Sequence, residues 1–422
     1  MKVALVPVGT RGDVEPMIML AKALRARGHE VIVGAPEDHR ARIQSAQLPF
    51  RRVGVGLEER LRDLGLERVS KLRAMSMARE LVIESAPTQL EETLQACEGA
   101  DIVIGAGTGF GGFHAAELLG IPYGFVVYAP GWLPSATHPP VLMPFHALPR
   151  FVNRWLWRFL QRQGDATLLA PVNAWRRQKG LPPLDGLVVT AASQVLLACD
   201  AVLGTAPADM QDVIPGWPIT AVSQPGALVA EGPLELSREL EAFLDAGPPP
   251  IFVGFGSMVD ATPEKTGKLL SALANKLELR VVWGLGWTER PKLELSERVL
   301  PVTDEPFCAL FPRCRLALHH GGAGTTATAL RSAVPQLIVP HIADQFFFAR
   351  RVFSLGLGLK PIPRTKLGGR RLEQALREFM TSEGDLRRVA EKTQRTLPRD
   401  PVTVAADWVE RTARTPRGPT AA

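Results

Sequence analysis

A chain of 422 residues, 46% hydrophobic and 22% charged, is globular and long enough for two domains that each bury a core. Its net charge of +6 is spread along the chain rather than gathered into a Lys/Arg block, which argues against a nucleic-acid partner and suits an anionic small molecule. Cys97, Cys199, Cys308 and Cys314 sit at no metal-ligand or disulfide-framework spacing, and the opening MKVALVPVGTRGD meets Arg11 before a secretory apolar core forms, so a reduced cytoplasmic protein without a metal is expected.

Lys2 to Gly9 reads as a buried parallel strand. The loop Thr10-Arg11-Gly12-Asp13 then enters a helix with Pro16 in its first turn, Met17, Leu20, Ala21 and Leu24 at helical spacing, and Gly28 as terminator before the strand Glu30 to Ala35. Further strands are expected at Phe50 to Val55, Asp101 to Ala106, Tyr123 to Ala129 and Ala201 to Thr205, alternating with helical or irregular segments around a mostly parallel sheet. Gly107, Gly109 and Gly112 spell G-x-G-x-x-G. No acidic residue ends the next strand, where a ribose partner belongs, so these glycines read as a tight strand-to-helix turn.

The uncharged run between Leu118 and Arg150 holds too much Pro and Gly for a membrane-spanning helix. Trp132, Phe145, Phe151, Trp155, Trp157 and Phe159 crowd into this region and the helix that follows. In that helix Val152, Trp155, Leu156, Phe159 and Leu160 share an apolar face, while Arg150, Arg154, Arg158 and Arg162 recur every four residues. Three readings stay open for it: a wall of an apolar ligand pocket, a peripheral contact with a membrane surface, or a surface helix packed on its own domain.

After a linker from Gln224 to Gly247 with one helical stretch, Leu236 to Leu244, the alternation begins again. Strands are expected at Ile251 to Gly256, Arg280 to Gly284, Val299 to Val302, Leu316 to His320 and Gln336 to Pro340, and a last helix at Val402 to Arg414. The two halves repeat one α/β architecture: two Rossmann-like domains with parallel sheets facing across a cleft, which is the default ligand site.

The most informative stretch is Leu316 to Leu355, LALHHGGAGTTATALRSAVPQLIVPHIADQFFFARRVFSL. Its first strand runs into Gly321, Gly322, Ala323 and Gly324, with a helix expected from Thr325 or Thr326. Small residues there let backbone N–H groups approach an anion at a helix N-terminus. One βαβ unit later, Asp344 and Gln345 stand at the C-terminal end of a strand, a pair that suits the hydroxyls of a sugar. A plain turn and a plain helix cap account for each half alone, but not for both one βαβ unit apart.

This stretch resembles the nucleotide-sugar signature of the family 1 glycosyltransferases of the GT-B fold, in the form found in sterol glucosyltransferases and glycopeptide-antibiotic and macrolide glycosyltransferases. GTRGDVEP near the N-terminus resembles the corresponding loop of the same branches. The resemblance implies an acceptor-binding domain over 1–222, a nucleotide-sugar domain over 223–400, and a helix and tail over 401–422 that cross back to the first domain. It implies an inverting transfer of a hexose from a nucleoside diphosphate sugar, UDP-glucose first, to a hydroxyl of a lipophilic sterol, polyketide or other natural product, by a monomer or weak dimer.

Residue by residue, the resemblance assigns the acceptor's base to Asp13 and phosphate contact to His320, which is preferred over His319. Donor contacts fall to Thr10, Ser257, Gly322, Ala323, Gly324 and Thr325, base recognition to the neighbourhood of Val302, and sugar hydroxyls to Asp344 and Gln345. Trp132 and Phe145 are expected toward the acceptor. The chain has no D-x-D pair, so fixed donors rather than a metal are expected to meet the leaving diphosphate. Two other readings fit the same cleft: a nucleotide-sugar epimerase or hydrolase with water as acceptor, and a degenerate sugar-nucleotide-binding protein.

Overall fold

The computed structural model describes residues 1–56, 71–143, 148–219, 221–230, 234–256, 260, 262–286 and 288–415. Helices of eight residues or more are numbered. The first half runs β1 (Lys2–Val8), α1 (Arg11–Ala26), β2 (Glu30–Ala35), β3 (Phe50–Arg52), α2 (Lys71–Cys97), β4 (Ile102–Gly107), α3 (Gly111–Leu119), β5 (Tyr123–Val127), α4 (Arg150–Gln178), β6 (Gln194–Leu197) and β7 (Ala221–Ser223). The second runs α5 (Arg238–Asp245), β8 (Ile251–Gly254), α6 (Pro263–Lys276), β9 (Val281–Gly284), β10 (Val299–Val302), β11 (Leu316–His319), α7 (Ala323–Arg331), β12 (Gln336–Ile338), α8 (Gln345–Ser354), α9 (Gly369–Gln394) and α10 (Pro401–Ala413).

Two parallel sheets result, of order β3-β2-β1-β4-β5-β6-β7 and β10-β9-β8-β11-β12. Their strands are apolar runs because helices cover both faces; β1 has only its first residue partly exposed. In the first sheet the connections diverge between β1 and β4, in the second between β8 and β11. Open α/β sheets bind ligands at such a divergence, beyond the C-terminal strand ends. At those ends lie the first turn of α1 with Asp13, the Gly107 turn, the Gly256 turn and the His320–Gly322 turn into α7.

Helix α10 packs against the elements of the first half. Ala405, Ala406, Trp408 and Val409 join the core formed by β1, β2, β4 and α1, and Arg27 reaches Asp407 at 2.6 Å and Glu410 at 3.2 Å. An apolar cluster also crosses the halves, with Val127, Leu197 and Leu203 against Leu330, Phe348 and Val352. At its edge the fully buried Asp200 accepts from Arg331, the last residue of α7, at 2.6 Å and 3.2 Å. Arg331 also donates to the Pro398 carbonyl at 3.3 Å, and a Cβ at Gly226 (φ +113°) would fall 2.8 Å from the Asp200 carboxylate. Both chain crossings thus meet one buried ion pair.

The strand expected at Ala201 to Thr205 is corrected: that segment turns, with Leu203 N–H bonded to Asp200 O at 2.8 Å, and the strand is β6, seven residues earlier. Asp200 must face Arg331, which ends the ladder before it. β7, just before the expected linker, was not among the expected strands. Helix α4 is also rotated from expectation: Asn153 and Trp157 face inward, while Phe151, Trp155 and Phe159 are exposed.

Candidate active site

The two switch points open into one cleft of about 1330 Å³ lined from both domains. On the first domain, Thr10 caps α1 and Asp13 completes a capping box: Asp13 Oδ2 accepts from Thr10 N–H at 2.8 Å and from Thr10 Oγ1 at 3.2 Å. Among the described residues Asp13 Oδ1 accepts no hydrogen bond. Tyr128 Oη donates to the Asp13 carbonyl at 2.7 Å and steadies the first turn. Burial pushes the Asp13 pKa up to about 6, against the two Thr10 hydrogen bonds, which lower it.

Glycines make room for this carboxylate. A Cβ at Gly9 (φ +151°) would meet Asp13 Oδ2 at 2.2 Å, and one at Gly107 (φ +69°) would lie 3.0 Å from Asp13 Oδ1 and 2.2 Å from the Val8 carbonyl. The G-x-G-x-x-G run is the strand-to-helix turn between β4 and α3, and its first glycine seats Asp13. The motif was the signal, but its use was visible only in three dimensions.

On the second domain, α7 begins at Ala323, two or three residues before the expected start at Thr325 or Thr326. Its N-cap is Gly322, which offers no capping side chain, so the first-turn amides of Ala323, Gly324 and Thr325 have no side-chain cap, and these residues line the cleft. His319 organises this turn from beneath. It is fully buried, its Nδ1 accepts from Gly321 N–H at 3.1 Å, and its Nε2 therefore donates to Gln336 Oε1 at 2.9 Å. The alternation along β11 sends His320 to the cleft. Its ring is closely flanked by Gly256 and Gly322, where a Cβ would fall 2.7 Å and 2.5 Å away, and its Nδ1 is buried without a partner among the described residues. Burial lowers the His320 pKa to about 3, so the ring is neutral and carries one N–H to donate.

Asp344 stands at the N-cap of α8, and its side chain makes no capping hydrogen bond there. Burial first, and then the nearby Asp13, push its pKa up to about 7, against the backbone N–H groups of Asp344 and Gln345. The Gln345 amide oxygen accepts from His341 N–H at 2.7 Å and Ile342 N–H at 3.1 Å, which fixes the loop that presents Asp344. Val302 lines the cleft with its carbonyl bonded to Leu285 N–H at 2.8 Å, and Trp132 also lines it, from the first domain. Ser257 and Phe145 lie outside the described residues.

Pattern reading missed the charged rim. Arg11 and Arg42 of the first domain each reach Asp304 of the second at 2.9 Å, and Glu15 lies against both arginines. Although burial raises it, the two guanidinium groups hold the Asp304 carboxyl below the usual range. Single charged residues in unrelated loops leave no sequence signal for such a bridge. No group of three or more His, Cys, Asp or Glu placed to hold a metal ion occurs among the described residues.

Two Rossmann-like domains with parallel sheets facing across a cleft define the GT-B class. The chain matches the family models "Glycosyltransferase family 28 N-terminal domain" over residues 3–137 and "Erythromycin biosynthesis protein CIII-like, C-terminal domain" over 268–408. It is 32% identical over 377 residues to the vancomycin aglycone glucosyltransferase of Amycolatopsis orientalis, covering 86% of this chain and 87% of that one. It is 30% identical over 403 residues to the sterol 3-beta-glucosyltransferase UGT80B1 of Arabidopsis thaliana, covering 91% of this chain and 63% of that one. The fold matches the glycosyltransferase VinC in complex with dTDP at a TM-score of 0.69 and 21% identity, covering 98% and 99% of the two chains. The chain belongs to the family 1 glycosyltransferases of the GT-B fold and is a glycosyltransferase.

Proposed function

We propose that this enzyme transfers glucose, with inversion, from a nucleoside diphosphate to a hydroxyl of a lipophilic natural product or sterol. The observation that carries the reading is the opposition of Asp13 and the uncapped N-terminus of α7 in one cleft. Asp13 Oδ1 takes the acceptor's proton as the acceptor oxygen attacks C1 from the face opposite the diphosphate. The bond from C1 to the β-phosphate oxygen breaks, and its electron pair leaves with the diphosphate. The amides of Ala323 to Thr325 and the neutral His320 N–H donate to that developing charge without reorganising. Thr10 holds the base, and Asp344 orients the sugar, with Gln345 fixing the loop from which it acts. An α-linked donor gives a β-glycoside, and no covalent intermediate is needed.

A carboxyl with a pKa near 6 is a better base for an alcohol than an ordinary one near 4 and is still largely ionised at neutral pH. The acceptor side of the cleft is apolar, with Phe110, Phe125, Tyr128, Trp132, Leu142 and Trp217 along it. The relatives named for sterol and vancomycin aglycone glucosylation agree with that surface, and both are named as glucosyltransferases. UDP-glucose is the first donor to offer; the VinC structure, which holds dTDP, makes dTDP-glucose the second. The test is mass spectrometry of products from sterol, macrolide, phenolic and glycopeptide acceptors with each donor. A β-glucoside with acceptor-dependent nucleotide release is expected; nucleotide release with no acceptor dependence would overturn the transferase reading.

A further inference from the structure

The exposed face of α4 carries large aromatic side chains. Phe151 is 71% exposed, Trp155 61% and Phe159 41%, at spacings of four residues that align them along the helix. Trp155 and Phe159 stack on each other, with ring centroids 5.4 Å apart and planes 12° from parallel. Scattered exposed apolar residues are ordinary, whereas three large aromatics aligned on one helix form a patch.

Basic groups accompany this row. Arg150, Arg154, Arg158 and Arg162 recur through the same turns, and the first acidic residue of the helix is Asp165. Arg150 lies 3.7 Å from Asp209, a carboxylate already held by Ser135 Oγ and the Ala136 amide. Arg158 donates to the Val213 carbonyl, and among the described residues neither Arg158 nor Arg162 enters an ion pair. Aromatic side chains beside unneutralised arginines are the composition of a helix that lies in the headgroup region of an anionic bilayer.

The patch is rigidly joined to the mouth of the cleft. Asn153, fully buried on the opposite face of α4, donates to the Ala136 carbonyl at 2.9 Å, and Trp157 Nε1 donates to the His138 carbonyl at 3.1 Å. The segment so pinned lies between Trp132 and Leu142, which are 41% and 54% exposed and line the cleft. Among the described residues no helix is long and apolar enough to cross a membrane, so contact through this face is peripheral.

We propose that the Phe151–Trp155–Phe159 face of α4 docks the enzyme on an anionic lipid surface, beside the mouth through which a membrane-dissolved acceptor enters. Docking itself stands on the helix; only its purpose rests on the lipophilic acceptor assigned above.

The experiment is flotation of the whole protein with vesicles of phosphatidylcholine alone or with about one third phosphatidylglycerol. It compares the wild type with the F151S/W155S/F159S variant and with the R158Q/R162Q variant. Light scattering gives the oligomeric state, and turnover of a water-soluble phenolic acceptor reports folding. The wild type is expected to float with anionic vesicles and far less with neutral ones. The aromatic variant should float about tenfold less and the arginine variant several-fold less, both with soluble-acceptor turnover preserved. The proposal is overturned if the wild type stays at the bottom with anionic vesicles, if the aromatic variant floats equally well, or if the aromatic face holds a dimer that the variant dissociates. Failure of acceptor-dependent transfer would instead strike the proposed function, since flotation needs no acceptor.

Discussion

Helices α1 and α7 each follow a switch-point strand, β1 and β11, and their N-termini line one cleft, but the chain treats these ends in opposite ways. The end of α1 is closed by its own residues: Thr10 caps it and the Asp13 carboxylate bonds back to Thr10. The end of α7 is left open by Gly322. Negative charge is stabilised at either end, and in the proposed function the closed one keeps a resident carboxylate as the base while the open one receives the donor's phosphates. The capping geometry and the proposed catalytic role of Asp13 are therefore compatible: the cap would hold the proposed base still.

That contrast can be broken most severely at the closed end. Asp13→Asn keeps an oxygen to accept from Thr10 but removes basicity, so kcat should fall by roughly 10²–10⁴-fold with the thermal midpoint little changed. Paired turnover and unfolding measurements decide it, and near-normal turnover would remove Asp13 from the chemistry.

The open end is broken by steric closure. In Gly322→Ala the new methyl would fall 2.5 Å from His320 Nε2, displacing the imidazole or the turn. Affinity for the nucleoside diphosphate should drop about tenfold, and kcat/KM by roughly 10–100-fold, as misplaced binding groups do. Calorimetry with the nucleotide alone separates that loss from any effect on proton transfer.

The smallest effect, and the sharpest, is in pH. Both Asp13 and Asp344 have folded pKa values raised above the ordinary range near 4, to about 6 and about 7. Between about pH 4 and pH 7 the folded protein thus holds protons that the unfolded chain has lost, and stability should decline as pH rises through that window. The acid limb of kcat/KM should centre near pH 6, the Asp13 value. Asp344→Asn removes the second of these carboxyls. It should shrink the difference in thermal midpoint between pH 5 and pH 8 and leave that limb near pH 6, because burial sets the Asp13 value and Asp344, with the higher pKa, is still largely neutral as Asp13 ionises; a limb that moves would mean that Asp344 also acts on Asp13.

Much of this was legible in the chain because it is written locally. Apolar runs ending in glycine gave the strands around both switch points, and His320, the glycines and Asp344 lie within one continuous stretch. The legible part stops where a side chain's direction depends on a distant partner. Trp155 and Phe159 fit an inward apolar face by spacing alone, yet Asn153 and Trp157 take the inward positions because they bond the carbonyls of Ala136 and His138. The segment after Cys199 has strand composition, yet Asp200 turns it toward an arginine 131 positions away. Arg11, Arg42 and Asp304 come together only once both domains have folded.

The Asp200–Arg331 pair also bears on how such enzymes could be recombined. A chimera cut near residue 223, joining this acceptor half to another donor half, would separate the two charges. It would keep the buried Asp200 beneath a foreign α7 and lose Arg331 along with its Pro398 contact. Leaving one partner of a buried pair alone costs about 3–5 kcal/mol, a large share of the stability of a typical domain. Donor domains that supply a guanidinium at that helix end would be the compatible modules, so a single position at the far end of the phosphate helix could govern which halves can be exchanged.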